Sequence, residues 1–362
     1  MPVFKDRVEK IRCKMEHRGI SAFLISHPPN ILYGSGFTGS SAWLLLTMNR
    51  VILYTDFRYI QQATEEAPFC EITKLDSSVT PSLFLKIWEV LMEETVSAIG
   101  VEEARLTLKE YNQLKDVANG LEIIPCSGLL EGIRSVKEEM EIDNITKAAR
   151  IADSVLKDTL PLLKPGMSER EFAGELEYRI RLAGAEGMAF PTIVASGPRS
   201  ALPHGIATNR NLVEGELIVL DFGVVWQGYC SDMTRTYILG EPTAQQERIH
   251  KIVCNARSIA LQTIKVGDRT AAIDAVVRQY LQDEGYGDAY GHGLGHGVGL
   301  EVHERPTLSP RGEDVLQENM VFSVEPGIYL EGQEGVRVED LVVLRSDGPQ
   351  VITGSRRELN MI

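Results

Sequence analysis

The sequence has little cysteine, and the five residues present (Cys13, Cys70, Cys126, Cys230 and Cys254) are odd in number, widely spaced and never arranged as C-x-x-C. A disulfide framework is thereby excluded, and reduced thiols held mostly in cores are expected. Long apolar runs are missing too: nothing approaches the roughly 20 residues that span a bilayer. The opening "MPVFKDRVEK" lacks the apolar segment of a secretion signal, so a cytoplasmic protein is expected. Positive charge is short, with 37 Lys and Arg against 51 Asp and Glu and a formal net charge of −14. Nucleic-acid and membrane partners rely on clustered cations, so neither is expected. Some of the acidity is better read as carboxylates gathered for a metal.

At 362 residues, 43% of them hydrophobic, the chain suits a globular protein of two domains, on a prior of about 150 residues each. Helical spacing of Phe4, Val8, Ile11 and Met15 precedes the strand-like "ISAFLIS". "AWLLLTM" and "RVILYTD" read as a hairpin across Asn49-Arg50, and further short helices and strands complete an α/β module over residues 1–133. The charged junction "RSVKEEMEIDN" leads into a second domain, 134–362. Its order is helices first, one opened by Ser168 with Glu171 as a capping box, then strands at 190–197, 216–239 and 319–345 with two helices between them. Helices gathered on an antiparallel sheet make this domain α+β.

What does "AYGHGLGHGVGLEVHE" do? His292 and His296 are four apart, as in the zinc-binding H-E-x-x-H helix, but position 293 is Gly where that motif needs its Glu base. Glycines at 291, 293, 295, 297 and 299 would each also cost a helix roughly 1 kcal/mol relative to Ala. An extended segment fits better. The two-residue period then points His292, Leu294 and His296 the same way, and the glycines admit something close to the backbone.

Two acidic pairs supply a partner for the histidine. The apolar run before Asp221 reads as a buried strand, and a type I turn over Val225-Trp226-Gln227-Gly228 would set Asp221 directly opposite Asp232. Glu325 and Glu339 lie symmetrically about Gly332, so a turn there opposes them as well. Like charges facing each other on a sheet repel unless cations sit between them. One imidazole among carboxylates is a hard site, suited to Mn²⁺, Co²⁺ or Fe²⁺ as well as Zn²⁺, and points to a two-metal hydrolytic centre. Each residue alone has a blander reading as a turn, cap or core residue; the combination carries the inference.

The segments "LDFG", "SDMTRT", "GHGLGHGVGLEVHE", "SVEPGIY" and "GVRVED" resemble the pita-bread metallopeptidases of the M24 type, in particular the Xaa-Pro peptidases, prolidase and aminopeptidase P. "NILYGSGFTGS" and "YTDFRY" extend the resemblance into the first domain, which is similar to the creatinase-type N-terminal domain. It implies a pita-bread (creatinase/aminopeptidase-like) catalytic domain and two divalent metal ions per subunit, Mn²⁺ or Co²⁺ ahead of Zn²⁺ or Fe²⁺. Asp221, Asp232, His296, Glu325 and Glu339 would be the ligands, with Asp232 and Glu339 bridging. Glu325 would also shuttle the proton of a metal-bridging hydroxide, and His204 and His303 would bind substrate and stabilise the tetrahedral intermediate. His292 and Arg337 match positions of the Xaa-Pro branch. Arg311 stands where dipeptidases keep an arginine for the substrate carboxylate. The implied substrate is a small peptide with Pro second, cleaved by an Xaa-Pro dipeptidase or, on longer peptides, by an aminopeptidase P; a homodimer is also implied. Methionine aminopeptidases share the five ligands but lack the large first domain, and creatinase or a non-catalytic module on this fold would have lost ligands that all stand here.

Overall fold

The computed structural model describes residues 2–75, 80–118 and 120–361. The chain divides into two compact units between Arg134 and Ser135, one residue beyond the boundary read from the sequence. In the first unit, β1 (Ala22–Ile25), β2 (Ala42–Thr47), β3 (Val51–Asp56), β4 (Glu71–Leu75), β5 (Ala98–Glu102) and β6 (Glu122–Cys126) form a mixed sheet in the order β4-β3-β2-β1-β5-β6. The hairpin of β2 and β3 is antiparallel, whereas β1 runs parallel to β5 and β5 to β6. The unit's helices are α1 (Pro2–His17), α2 (Pro28–Ser35), α3 (Ile60–Glu66), α4 (Thr80–Glu93), α5 (Leu108–Val117) and α6 (Leu129–Arg134). Leu24, Ile52, Tyr54, Phe84, Ile87 and Leu91 share one core between sheet and helices.

The second unit opens with α7 (Glu139–Thr159), which buries Ile142, Ile145, Ile151, Ala152, Val155 and Leu156 at helical spacing. In α8 (Glu169–Leu182) the capping box forms: Glu171 N donates to Ser168 Oγ (3.1 Å) and Ser168 N to Glu171 Oε2 (2.7 Å). The strands β7 (Gly187–Met188), β8 (Ile193–Ser196), β9 (Leu217–Phe222), β10 (Val224–Trp226), β11 (Tyr229–Cys230) and β12 (Met233–Ile238) follow. α9 (Ala244–Thr263) and α10 (Thr270–Asp283) precede the strands β13 (Gly295–Gly297), β14 (Glu304–Leu308), β15 (Val321–Val324), β16 (Gly327–Leu330), β17 (Glu334–Arg337), β18 (Asp340–Arg345), β19 (Gly348–Val351) and β20 (Asn360–Met361). Two main sheets result, β20-β12-β9-β8 and β14-β13-β15-β18-β19, alongside the smaller ladders β11-β10-β7 and β16-β17. Helices α7 and α8 share one core with β8, β9 and β12; α9 and α10 share another with β15, β16, β17 and β18. This is the α+β arrangement the pattern predicts. Among the described residues no helix is long and apolar enough to cross a membrane, and none of the five cysteines forms a disulfide.

One register departs from the sequence reading. Gln227 (φ 51°) and Gly228 (φ 76°) both take positive φ, and Trp226 pairs with Tyr229, so the connection is a two-residue turn of type I′ rather than a type I turn. The primed turn matches the right-handed twist of the strands it joins. Asp221 therefore pairs with Thr234, and Asp232 becomes its diagonal neighbour. A slip of two residues keeps both aspartates on one face. The other hairpin has the register that symmetry about Gly332 predicts, with Gly327 opposite Arg337 and Val324 opposite Asp340 on either side of Glu325 and Glu339.

Candidate metal centre

Each acidic residue sits at the end of a strand or just outside one: Asp221 in β9, whose other residues are all apolar, Asp232 before β12, Glu325 after β15 and Glu339 between β17 and β18. His296 is the middle residue of β13, facing Thr307 of β14. A Cβ on Gly295 would lie 2.0 Å from Ser323 O, and one on Gly297 2.1 Å from Arg305 O. What the glycines admit is therefore the backbone of the flanking strands, which brings β13 down between them. The simple two-residue alternation fails at Leu294, which joins the apolar core instead.

One cavity of about 410 Å³ is lined by Asp221, Asp232, His296, Glu325 and Glu339, and also by His204, His292, His303 and Arg337. Phe190, Pro191, Ile193, Pro203 and Ile206 give it an apolar wall. Of the residues singled out from the sequence, Arg311 alone is not in the lining: it is exposed. Donor atoms of Asp232, His296 and Glu339 lie within 4.8 Å of one another. His296 Nε2 is 3.2 Å from Glu325 Oε1 and 3.6 Å from Asp232 Oδ2, while its Nδ1 donates to Gly297 O (3.2 Å). That backbone contact leaves Nε2 to face the carboxylates, the orientation a metal-ligating histidine needs.

The carboxylates crowd one another. Burial, then the charges of Glu325 and Asp221, push Glu339 up to about 8. Burial and the neighbouring Glu339 and Asp221 push Asp232 well above the usual carboxylate range. For Glu325 burial acts upward but is outweighed by the imidazole of His296, which holds it at about 2; His296 in turn rises to about 9 because Glu325 outweighs its burial. Asp221 Oδ1, Asp232 Oδ1 and Glu339 Oε1 are buried without a protein hydrogen-bond partner. Buried anionic oxygens left this way are costly unless a cation satisfies them. The donor set, four carboxylates and one imidazole, fits divalent metals.

Beside this cluster runs a hydrogen-bonded chain. The buried Arg337 guanidinium donates to Asp221 Oδ2 (2.6 Å), Tyr329 OH (2.8 Å), Thr234 Oγ1 (3.0 Å) and Pro203 O (3.2 Å). His292 Nδ1 donates to Gly293 O (2.7 Å), so in the neutral ring Nε2 accepts from Tyr329 OH (3.0 Å). Burial holds His292 below the usual histidine range and so keeps it neutral. His303 packs edge to face on His296, ring centroids 4.2 Å apart. Sequence reasoning missed Tyr329 and Thr234. The signal for Tyr329 was its pairing with Gly335 in the ladder symmetric about Gly332, which makes Arg337 its diagonal neighbour. Thr234, which donates to Glu339 Oε2 (2.7 Å), was hidden by the misjudged register of β12.

Comparison with known proteins agrees with this geometry. Residues 143–346 match the model of metallopeptidase family M24, and residues 7–136 that of the creatinase/prolidase N-terminal domain. The chain is 36% identical to an Xaa-Pro dipeptidase of Pyrococcus horikoshii, over 99% of this chain and 100% of that one. Among solved structures it is similar to an Xaa-Pro dipeptidase from Bacillus anthracis, with TM-score 0.94, 38% identity and coverage of 99% and 100% of the two chains. It is also similar to an X-Pro aminopeptidase from Thermotoga maritima, with TM-score 0.91, 39% identity and coverage of 98% and 99%.

Proposed function

The chain belongs to metallopeptidase family M24 and carries a creatinase/prolidase N-terminal domain, and from that premise we propose that it hydrolyses Xaa-Pro bonds, as an Xaa-Pro dipeptidase of the prolidase kind. The observation that carries the reading is the convergence of Asp221, Asp232, His296, Glu325 and Glu339 on one cavity, with carboxylate oxygens buried and unpartnered. In this reading those residues hold two divalent cations, Mn²⁺ or Co²⁺ ahead of Zn²⁺ or Fe²⁺. When bound, such cations lower the pKa of water and polarise a carbonyl. Glu325, ion-paired with His296 at 3.2 Å, takes up and returns the proton of the attacking water. His303 and His204, both on the cavity wall, donate to the carbonyl oxygen as charge develops on it. The apolar wall of Phe190, Pro191, Ile193, Pro203 and Ile206 suits a proline ring. General peptidases that grip the scissile N–H fail on an Xaa-Pro bond, which has none.

Aminopeptidase P activity on longer peptides is the second reading, favoured by the exposure of Arg311 outside the cavity lining, which leaves the substrate carboxylate without the arginine a dipeptidase would use. In both readings the enzyme is a cytoplasmic homodimer; light scattering on the purified protein tests the dimer, and cell fractionation tests the location. Turnover separates the two: chelator-stripped protein is given Ala-Pro or Ala-Pro-Ala with Mn²⁺, Co²⁺ or Zn²⁺ restored. The expected result is cleavage of the dipeptide. Preference for the tripeptide makes it an aminopeptidase P, and no cleavage with any metal ends the peptidase reading.

A further inference from the structure

His204 lines the cavity from an exposed loop, and no hydrogen bond to a described residue holds its ring. Its position is therefore set by the backbone between the end of β8 and Thr208. Both ends of that loop are tied to one side chain. Glu169, the first residue of α8 and fully buried, accepts from Ser196 N and Oγ (both 2.9 Å) through Oε1, and from Thr208 N (3.0 Å) and Oγ1 (2.7 Å) through Oε2. Arg199, inside the loop, bonds Glu169 Oε2 through Nε (3.0 Å) and crosses the loop through Nη2 to Ile206 O (2.6 Å). Two residues from His204, the loop is thus pinned to the carboxylate through a guanidinium.

A carboxylate is the one side chain that accepts all of these bonds, since both of its oxygens are acceptors only. A glutamine has one acceptor oxygen and would turn an N–H₂ toward the donors of one loop end. We infer that Glu169 is a positioning residue for the reaction: it locks both ends of the loop so that His204 meets the substrate in one place. This inference rests on the proposed role of His204 in holding the substrate.

The test is a double-mutant cycle on Ala-Pro with the metal-loaded protein. His204→Ala should lower kcat/KM on the order of 100-fold, as loss of one donor to a developing oxyanion does. Glu169→Gln should lower it on the order of 10-fold through misplacement. In the His204→Ala background Glu169→Gln should then change it much less than in the wild type, the remainder coming from Pro203 and Ile206 of the same loop on the apolar wall. Thr208→Val, a milder loosening of the same clamp, should show the same non-additivity and covers the case in which Glu169→Gln fails to fold. A second readout is the His204 ring signal in ¹³C-histidine-labelled, metal-free protein, identified by its absence in His204→Ala; Glu169→Gln should broaden or split it. Equal losses in both backgrounds, or an unaltered ring signal, would overturn the inference while leaving the peptidase reading intact. A fully active His204→Ala removes His204 from the reaction and the inference with it.

Discussion

Arg337 carries more of the site's order than any other single side chain, because its guanidinium reaches a carboxylate, a phenol, a threonine hydroxyl and a backbone carbonyl at once. The charge of Asp221 is compensated by it, and Tyr329 is fixed by it with the hydroxyl hydrogen turned to His292. Lysine cannot replace this planar fork. Arg337→Met leaves Asp221 as a buried, uncompensated charge, which typically costs about 3–5 kcal/mol of stability, to be read as a lowered denaturation midpoint in metal-free protein. Tyr329→Phe removes only the hydroxyl and should cost about 1–3 kcal/mol. It should also lower kcat/KM while metal stoichiometry is retained, since the Tyr329 hydroxyl hydrogen-bonds to His292 and Arg337 rather than to a carboxylate. An unchanged denaturation midpoint in Arg337→Met would contradict the assignment of Arg337 as the partner of Asp221.

At the scale of elements the site is a matter of how closely strands approach. Gly295→Ala and Gly297→Ala each place a methyl about 2 Å from a backbone oxygen of a neighbouring strand, a clash that only backbone movement relieves. Each should cost at least about 1–3 kcal/mol and loosen metal binding, whereas Gly291→Ala, with nothing within 4 Å of the new methyl, should be nearly neutral; calorimetric melting of the three variants checks this. That the glycines matter was legible in the sequence, as was the ladder about Gly332, where the turn is symmetric between Glu325 and Glu339. The other hairpin was not, because a type I′ turn is announced by Asn-Gly or Asp-Gly, and here a glutamine takes the positive φ. Nor was Glu169, which reads locally as an ordinary acidic residue in the first turn of a helix and meets Ser196, Arg199 and Thr208 only after the chain folds. A second element-scale effect lies in α9. His250 is buried with Nε2 unpartnered, and burial lowers it to about 4. The unfolded chain binds this proton near the ordinary histidine value of 6.5, so stability is lost as pH falls through the window from about 6.5 to about 4, by up to about 3 kcal/mol. His250→Leu should flatten this acid limb in urea titrations at pH 4.5 and 7; an identical slope would show that the histidine is not its source.

For the molecule as a whole, the crowded carboxylates couple folding, protons and metal. In the metal-free protein burial and the neighbouring charges raise Glu339 to about 8, and Glu325, outweighing burial, raises His296 to about 9, against ordinary values of 4.5 and 6.5. Both values are raised, so the folded state holds more protons than the unfolded chain through this window. Stability therefore falls as pH rises from about 4.5 to about 9. Glu325, depressed to about 2, acts in the opposite sense, but its contribution is complete once pH exceeds the ordinary value of 4.5. A divalent cation needs the deprotonated forms of Glu339 and His296, and it replaces mutual repulsion with attraction. Metal affinity should therefore rise with pH toward 9, and binding at pH 7 should release protons. Titration calorimetry in buffers of different ionisation enthalpy detects that release as a buffer-dependent heat; a buffer-independent heat would mean that these groups are already deprotonated. Cation binding to the folded state alone adds about 2.7 kcal/mol of stability at 100 times Kd. The gap in melting temperature between metal-loaded and chelator-stripped protein should thus widen from pH 6 to pH 9, because the stripped protein weakens while the loaded one gains affinity. A gap that narrowed over that range would mean that the repulsion among Asp232, Glu325 and Glu339 is not what the metal relieves.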